Sequence, residues 1–319
     1  MRVAFFGTPE FAVPSLRALV GEGFDVVAVV TQPDAAQGRS RSKLIPPPVK
    51  IAAAAEELTL FQPEKPTDGA FLLRLREVRP EIGVVVAYGH ILKPELLELP
   101  PRGMVNVHPS LLPGLRGPAP VEWAIIRGHE TTGVTIMQLD AGMDSGPILH
   151  QIPHQIPPDV TAGDLAAHLA EMGAQALVET LAMIAQSDPP PQPVPQSEER
   201  ATFAPKLTRE IARIDWSKDA RAIGCLIRGL DPKPGAWTEL SGIEIKLFNP
   251  KVTEPPFPGT GAPGEVLSAD GTLVIATGPF KDTAGGTVEI FEVQPAGKAR
   301  MTTDDWLRGA RLKPGQRFT

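Results

Sequence analysis

Short apolar runs recur through the first half of the chain, and most are separated by a stretch long enough for one helix. Arg2 to Phe6, Phe24 to Thr31 and Glu81 to Ala87 are nearly continuous in Val, Ile, Phe and Ala, which is the pattern of strands buried on both faces, and Gly103 to His108, with Met104, Val105 and Val107, reads as a further short buried strand. Between them, Pro14 to Val20, Val49 to Leu58 and Asp68 to Val78 carry apolar residues at helical spacing, and Gly21 and Gly23 end the first of these helices. Alternation of this kind predicts an α/β domain built on a parallel sheet. Pro118 to Arg127 continues as a helix, Gly133 to Gln138 and Ile148 to Ile156 as strands, and Thr161 caps a helix reaching Ala185.

The pattern breaks at Gln186 to Pro195, where five prolines predict an extended connector. The chain therefore divides into a domain over residues 1–188, a Pro-rich linker over 189–206 and a second domain over 207–319. In the second, a helix from Trp216 to Leu230 precedes five short strand-like runs punctuated by Gly and Pro: Ala236 to Leu240, Glu244 to Phe248, Gly264 to Ser268, Leu273 to Thr277 and Thr287 to Val293. Repeated short strands predict a small barrel or sandwich. One long irregular loop, Pro33 to Pro48, carries Arg39, Arg41 and Lys43 without apolar anchors, so it is expected to be mobile and to work as a lid over the sheet edge.

Composition narrows the class. With 319 residues and 42% hydrophobic content the chain can bury two cores. No run approaches the ~20 apolar residues that cross a bilayer, so the expected setting is the cytoplasm with no membrane contact. A single cysteine, Cys225, excludes an internal disulfide and a thiolate metal cluster. The net charge of -6 argues against a general nucleic-acid binder, yet from Lys206 onward there are 16 Lys and Arg against 14 Asp and Glu, a net of +2. His150 and His154 have the spacing of helical metal ligands, but Pro153 lies between them in a strand-like run, so no metal site is expected.

Candidate chemistry concentrates at Asn106-Val107-His108 and the turn Asp140 to Gly146, about 30 residues later, a span that fits one strand-helix-strand crossover. Along a strand Asn106 and His108 project to the same side, and Pro109 and Pro113 end the ladder just beyond them. An amide donor, a titratable ring and the Asp144 carboxylate beyond strand ends are what acyl-like transfer requires: the amide stabilises an oxyanion, the ring moves a proton, and the carboxylate fixes the ring. A dinucleotide oxidoreductase ranks below a transferase, because the first turn, Gly7-Thr8-Pro9-Glu10, has one glycine and an acidic residue where pyrophosphate would lie.

These residues resemble a known family. Asn106-x-His108, Ser110-Leu111-Leu112-Pro113, Arg116-Gly117 and Leu139-Asp140-x-Gly142-Met143-Asp144-Ser145-Gly146 are similar to the folate-dependent formyltransferases. Phe6 to Ala12, Val86-Ala87-Tyr88-Gly89, Arg213-Ile214-Asp215-Trp216 and Pro232-x-Pro234-Gly235-Ala236 extend the resemblance over essentially the whole chain. It implies a Rossmann-like formyltransferase domain followed by an OB-like β-barrel that binds tRNA. It also implies transfer of a formyl group from 10-formyltetrahydrofolate, a cosubstrate and not a tightly bound cofactor, to the α-amino group of initiator methionyl-tRNA. In that scheme Asn106 and a protonated His108 stabilise the oxyanion, and Asp144 orients or charges the ring. Ser110, Leu111, Leu112 and Pro113 position the folate, and Val86, Ala87, Tyr88 and Gly89 line its pterin pocket. Phe11, Arg39, Arg41 and Lys43 are implied as tRNA contacts, and a monomer is expected. Two alternatives stay open. One is a formyltransferase for another amine, such as a glycinamide ribonucleotide or an amino-sugar nucleotide. The other is a tRNA-binding protein with a vestigial site. The C-terminal half weighs against the purine enzyme, and the complete Asn106, His108, Asp144 set against the vestigial site.

Overall fold

In the computed structural model, which describes residues 1–37, 43–187, 192–253, 261–279 and 285–319, the apolar runs of the first half pair as one seven-stranded sheet. Its strands are β1 (Arg2–Gly7), β2 (Asp25–Val30), β5 (Leu60–Phe61), β6 (Ile82–Val86), β7 (Met104–His108), β8 (Thr131–Gln138) and β9 (Ile148–Gln155), in the order β5-β2-β1-β6-β7-β8-β9. The pairs β5-β2, β2-β1, β1-β6 and β6-β7 are parallel. Strand order reverses between β1 and β6, and the crevice beyond the carboxyl ends at such a reversal is where open α/β sheets hold ligands. The helices α1 (Val13–Gly21), α2 (Pro48–Ala55), α3 (Gly69–Glu77) and α4 (Pro94–Leu97) fill the connections. Asp68 caps α3 by accepting from Ala70 N–H at 2.9 Å. One face of the sheet buries Ala4, Phe6 and Val30 against Phe71 and Leu75 of α3.

Two expectations change here. Pro33 to Pro48 is not wholly irregular: β3 (Ala35–Gln37) and β4 (Lys43–Ile45) pair antiparallel, with Gln37 opposite Lys43, so the loop stem is a hairpin. Residues 38–42, with Arg39 and Arg41, lie outside the described residues. The second change concerns β8, which runs antiparallel to β7, with Val105 opposite Gln138 and His108 opposite Thr135. The span of about 30 residues that suggested a parallel crossover holds a seven-residue helix, α5 (Pro120–Ile126), and a strand that returns alongside its predecessor.

By compactness the chain forms two units. The first comprises Met1–Pro120, Thr132–Gln155 and Ala166–Ala204; the second comprises Val121–Thr131, Ile156–Leu165 and Pro205–Thr319. Most of α6 (Ala162–Gln186) belongs to the first, and Thr161 accepts from Asp164 N–H at its start, at 3.2 Å. Of the described part of the Pro-rich stretch, 192–197 is extended and Glu198–Arg200 turn in a short 3-10 helix; the stretch lies along the first unit, where Val194 and Ile148 exchange two backbone hydrogen bonds of 2.8 Å.

The second unit is built on β10 (Ala236–Leu240), β11 (Ile243–Thr253), β12 (Val266–Asp270), β13 (Thr272–Pro279), β14 (Gly285–Pro295) and β15 (Met301–Thr302), with α7 (Ala220–Gly229) and α8 (Thr303–Ala310). The sheet order is β10-β11-β14-β13-β12, with β15 also on β14, all antiparallel. Residues 316–319 join its two edges: Glu239 and Thr319 exchange hydrogen bonds of 2.9 Å, Phe318 N–H donates to Gly264 O at 2.9 Å, and Val266 N–H to Gln316 O at 2.8 Å. The sheet thereby closes into a barrel around Ile245, Leu247, Ile275, Val288 and Ile290. Helix α7 begins at Ala220 and not at Trp216, because Asp215 folds Ser217 into a turn and Asp219 supplies the cap, accepting from Ala222 N–H at 2.8 Å. Among the described residues no helix is long and apolar enough to cross a membrane.

Candidate active site

Strand β7 carries Met104, Asn106 and His108 on one face. Met104 sits in the apolar cluster, while Asn106 and His108 follow it toward the carboxyl end beside the β1-β6 reversal. Asn106 is buried, and among the described residues no hydrogen-bond partner meets its side-chain amide. Both amide groups are thus available to a ligand.

His108 is 4% exposed. Its Nε2 lies 3.1 Å from Leu115 O, and because a carbonyl only accepts, Nε2 carries the proton. Nδ1 then faces Asp144 Oδ2 at 3.7 Å, too far for a hydrogen bond and close enough for an ion pair once Nδ1 is protonated. Burial holds the imidazole below its ordinary pKa, opposed by the Asp144 charge and the Leu115 carbonyl. The resting ring is therefore neutral, and the charged ring that the resemblance implies is a state the reaction has to create.

Because β8 is antiparallel, the Asp140–Gly146 loop leaves the sheet beside Met104, where Leu139 N–H donates to Met104 O at 2.8 Å. It folds back so that Asp144, at φ 51°, meets His108. Asp140 shapes the return by accepting from Gly142 N–H at 2.9 Å and from Ser145 Oγ at 3.0 Å. Gly146 cannot be replaced there, since a Cβ would stand 1.9 Å from Gln138 O. Gly117 N–H donates to Asp144 Oδ2 at 2.8 Å.

The Ser110 to Pro113 segment is tied down from β8 and β9. Ser110 Oγ donates to Gly114 O at 2.6 Å; Thr135 Oγ1 donates to Ser110 O at 2.6 Å and accepts from Leu112 N–H at 3.1 Å. Gln151 Nε2 donates to Leu112 O at 2.9 Å. Beyond β6, Ala87 and Gly89 are exposed with positive φ, whereas Val86 and Tyr88 are buried. The Tyr88 ring packs edge-on to Phe6 in the core, and burial pushes its hydroxyl up to about 12. Tyr88 can therefore offer a ligand its backbone but not its ring. Its carbonyl accepts from Thr8 Oγ1 at 2.9 Å and Gln32 Nε2 at 3.0 Å.

Phe11 is half-buried in the single 3-10 turn after β1, and Lys43 opens β4. His150 and His154 do not converge: His150 is 3.6 Å from Glu179 Oε2 and His154 stacks on His168. Among the described residues no group of three metal-ligating side chains occurs. Sequence reasoning missed Thr135, Gln151 and Gln196; of the residues that hold the loops, Ser110, Arg116, Gly117, Asp140 and Ser145 carried a signal, as parts of the motifs.

A sheet that is parallel from β5 to β7, with an amide, a buried imidazole and a carboxylate gathered at the carboxyl end of β7, carries the groups that acyl-like transfer uses, and comparison with known proteins gives the family. Residues 1–181 match the formyl transferase family and residues 206–311 match the formyl transferase C-terminal domain family. The chain belongs to the formyltransferase family. It is 45% identical over 309 residues to a methionyl-tRNA formyltransferase of Chloroflexus aurantiacus, covering 97% of both chains. It is 43% identical to a methionyl-tRNA formyltransferase of Thermobifida fusca, over 100% of this chain and 99% of that one. Among solved structures, the N-formyltransferase of Helicobacter canadensis in complex with folinic acid and dTDP-3-aminofucose shares the fold, with a TM-score of 0.67, 19% identity, and 92% of this chain and 98% of that one covered.

Proposed function

We infer that this chain moves a formyl group from 10-formyltetrahydrofolate to the α-amino group of methionine carried by initiator tRNA. The observation that carries the reading is the unpaired Asn106 amide two residues from a buried imidazole-carboxylate pair, in a chain related over nearly its full length to methionyl-tRNA formyltransferases. The residues fit a folate donor: Ala87 and Gly89 expose backbone at the crevice, and the Ser110 to Pro113 loop is fixed in place beside it.

The Asn106 side-chain Nδ2–H donates to the negative charge that develops on the formyl oxygen as the amine attacks. His108, its Nε2 proton held by Leu115 O, has only Nδ1 to receive the proton the amine gives up. A proton there lies against Asp144, whose charge offsets the cost of a buried cation, and the same proton is returned to the departing donor nitrogen. Phe11 and the cations Arg39, Arg41 and Lys43 are assigned to the acceptor stem; Arg39 and Arg41 fall outside the described residues.

Donor labelled in the formyl carbon, offered with methionyl-tRNA, glycinamide ribonucleotide or an amino-sugar nucleotide in separate reactions, tests this reading. Label is expected on methionyl-tRNA, and transfer to only one of the other amines would reassign the acceptor.

A further inference from the structure

One three-residue stretch holds both members of the His108–Asp144 pair. Leu115 O accepts from His108, Gly117 N–H donates to Asp144, and Arg116 stands between them. The Arg116 side chain is 3% exposed and each of its three nitrogens donates: Nη1 and Nη2 to the two Glu198 carboxylate oxygens at 3.0 and 2.9 Å, and Nε to Gln196 Oε1 at 3.0 Å. Gln196 in turn donates to Asp144 O at 2.8 Å and Gly146 O at 2.7 Å. Its amide thus joins the turn carrying Asp144 to the stretch carrying Leu115 and Gly117.

The backbone repeats the connection. Leu115 N–H donates to Thr202 Oγ1 at 2.9 Å, Arg116 N–H to Thr202 O at 2.8 Å, and Ala204 N–H to Arg116 O at 2.7 Å. At Gly117, φ is 120° and a Cβ would stand 2.8 Å from Ala204 O, so the two strands of chain have no slack. Neither Gln196 nor Glu198 falls within the residues matched by the two family models.

We propose that Arg116, Gln196 and Glu198 form a latch that positions the His108–Asp144 pair, with Gln196 fixing the Asp144 turn and Arg116 fixing the Leu115–Gly117 stretch. These are positioning residues that act through the pair, and their catalytic importance rests on the formyl-transfer reading above. An ion-pair contact of 3.7 Å leaves little tolerance, since a misplacement of about 1 Å can cost roughly a hundredfold in rate.

The test uses the full chain with Gln196→Ala and the near-isosteric Gln196→Met. Each should lower kcat roughly 10- to 100-fold, the scale of lost positioning, while KM for 10-formyltetrahydrofolate and methionyl-tRNA stays within about twofold. In an Asp144→Asn background the further loss from Gln196→Ala should shrink below about threefold, because a residue acting through Asp144 has nothing left to position. Amide hydrogen exchange gives a readout without turnover: the Gly117 N–H, which donates to Asp144, should exchange at least about tenfold faster in Gln196→Ala. Either variant with kcat within twofold of the parent overturns the latch, as does a full loss repeated in the Asp144→Asn background. A parent protein that fails to formylate methionyl-tRNA refutes the functional reading instead; Gly117 exchange then decides the latch alone, and an unchanged rate overturns it.

Discussion

His108 is a neutral imidazole held against a carboxylate, and this gives it a signature in stability. Burial puts its folded pKa below the ordinary value of 6.5, so between the two values the unfolded chain binds more protons than the folded one. The stability of keeping the ring neutral is fully present above pH 6.5 and is lost as pH falls through the folded value. His129 and His154 are also lowered, first of all by burial, so only a comparison isolates His108. Between about pH 7.5 and 5.5 the melting temperature of the parent should fall more than that of His108→Gln; parallel curves from thermal melts would contradict the assignment. Asn106, His108 and Asp144 were legible in the sequence because their residue types carry chemistry and their neighbours form a motif. Thr135, Gln151 and Gln196 were not, since each is an ordinary polar residue in a strand or a Pro-rich run. Their roles exist only in the hydrogen bonds they make to distant backbone.

At the scale of elements, buried parallel strands were legible because they are continuously apolar, and strand direction was not. The antiparallel return of β8 leaves no trace in periodicity, yet it decides how Asp144 reaches His108 and puts Thr135 opposite His108. From there the Thr135 hydroxyl serves Ser110 O and Leu112 N–H together. Thr135→Val keeps the shape and leaves both loop groups unsatisfied, so it should cost about 1–3 kcal/mol in urea unfolding. It should also weaken binding of tetrahydrofolate, measured by titration calorimetry; unchanged affinity would remove the loop from the donor site. The hairpin stem of β3 and β4 was hidden for a related reason: three-residue strands are too short to show alternation.

On the scale of the whole molecule, an acidic protein assigned to tRNA must collect its cations locally. Within the second unit a cavity of about 1120 Å³ is bordered by Arg221, Arg228, Lys251 and Arg300 and equally by Glu130, Asp159, Asp164 and Asp231; Arg300 is paired with Asp231, whereas among the described residues Arg221 and Lys251 have no ion-pair partner. Phosphate contacts release counterions, so the logarithm of the tRNA affinity should fall linearly with log salt, and Arg221→Ala and Lys251→Ala should each reduce that slope by about 1. Filter binding across a salt series checks this, and an unaltered slope places the tRNA elsewhere. The barrel, too, was legible only in part: five of its strands show as apolar runs, while residues 316–319, which close it, lack a strand's alternating pattern. The stretch 192–204 has the widest consequence, because a ribosome makes the chain in order. When residue 187 has been polymerised every strand of the seven-stranded sheet exists, but Gln196, Glu198 and Thr202 do not. A nascent chain at that point has every strand of the sheet but none of the latch, so on the proposal above its His108–Asp144 pair is held in place only after a short proline-rich segment has been made and lies down beside the strands that preceded it.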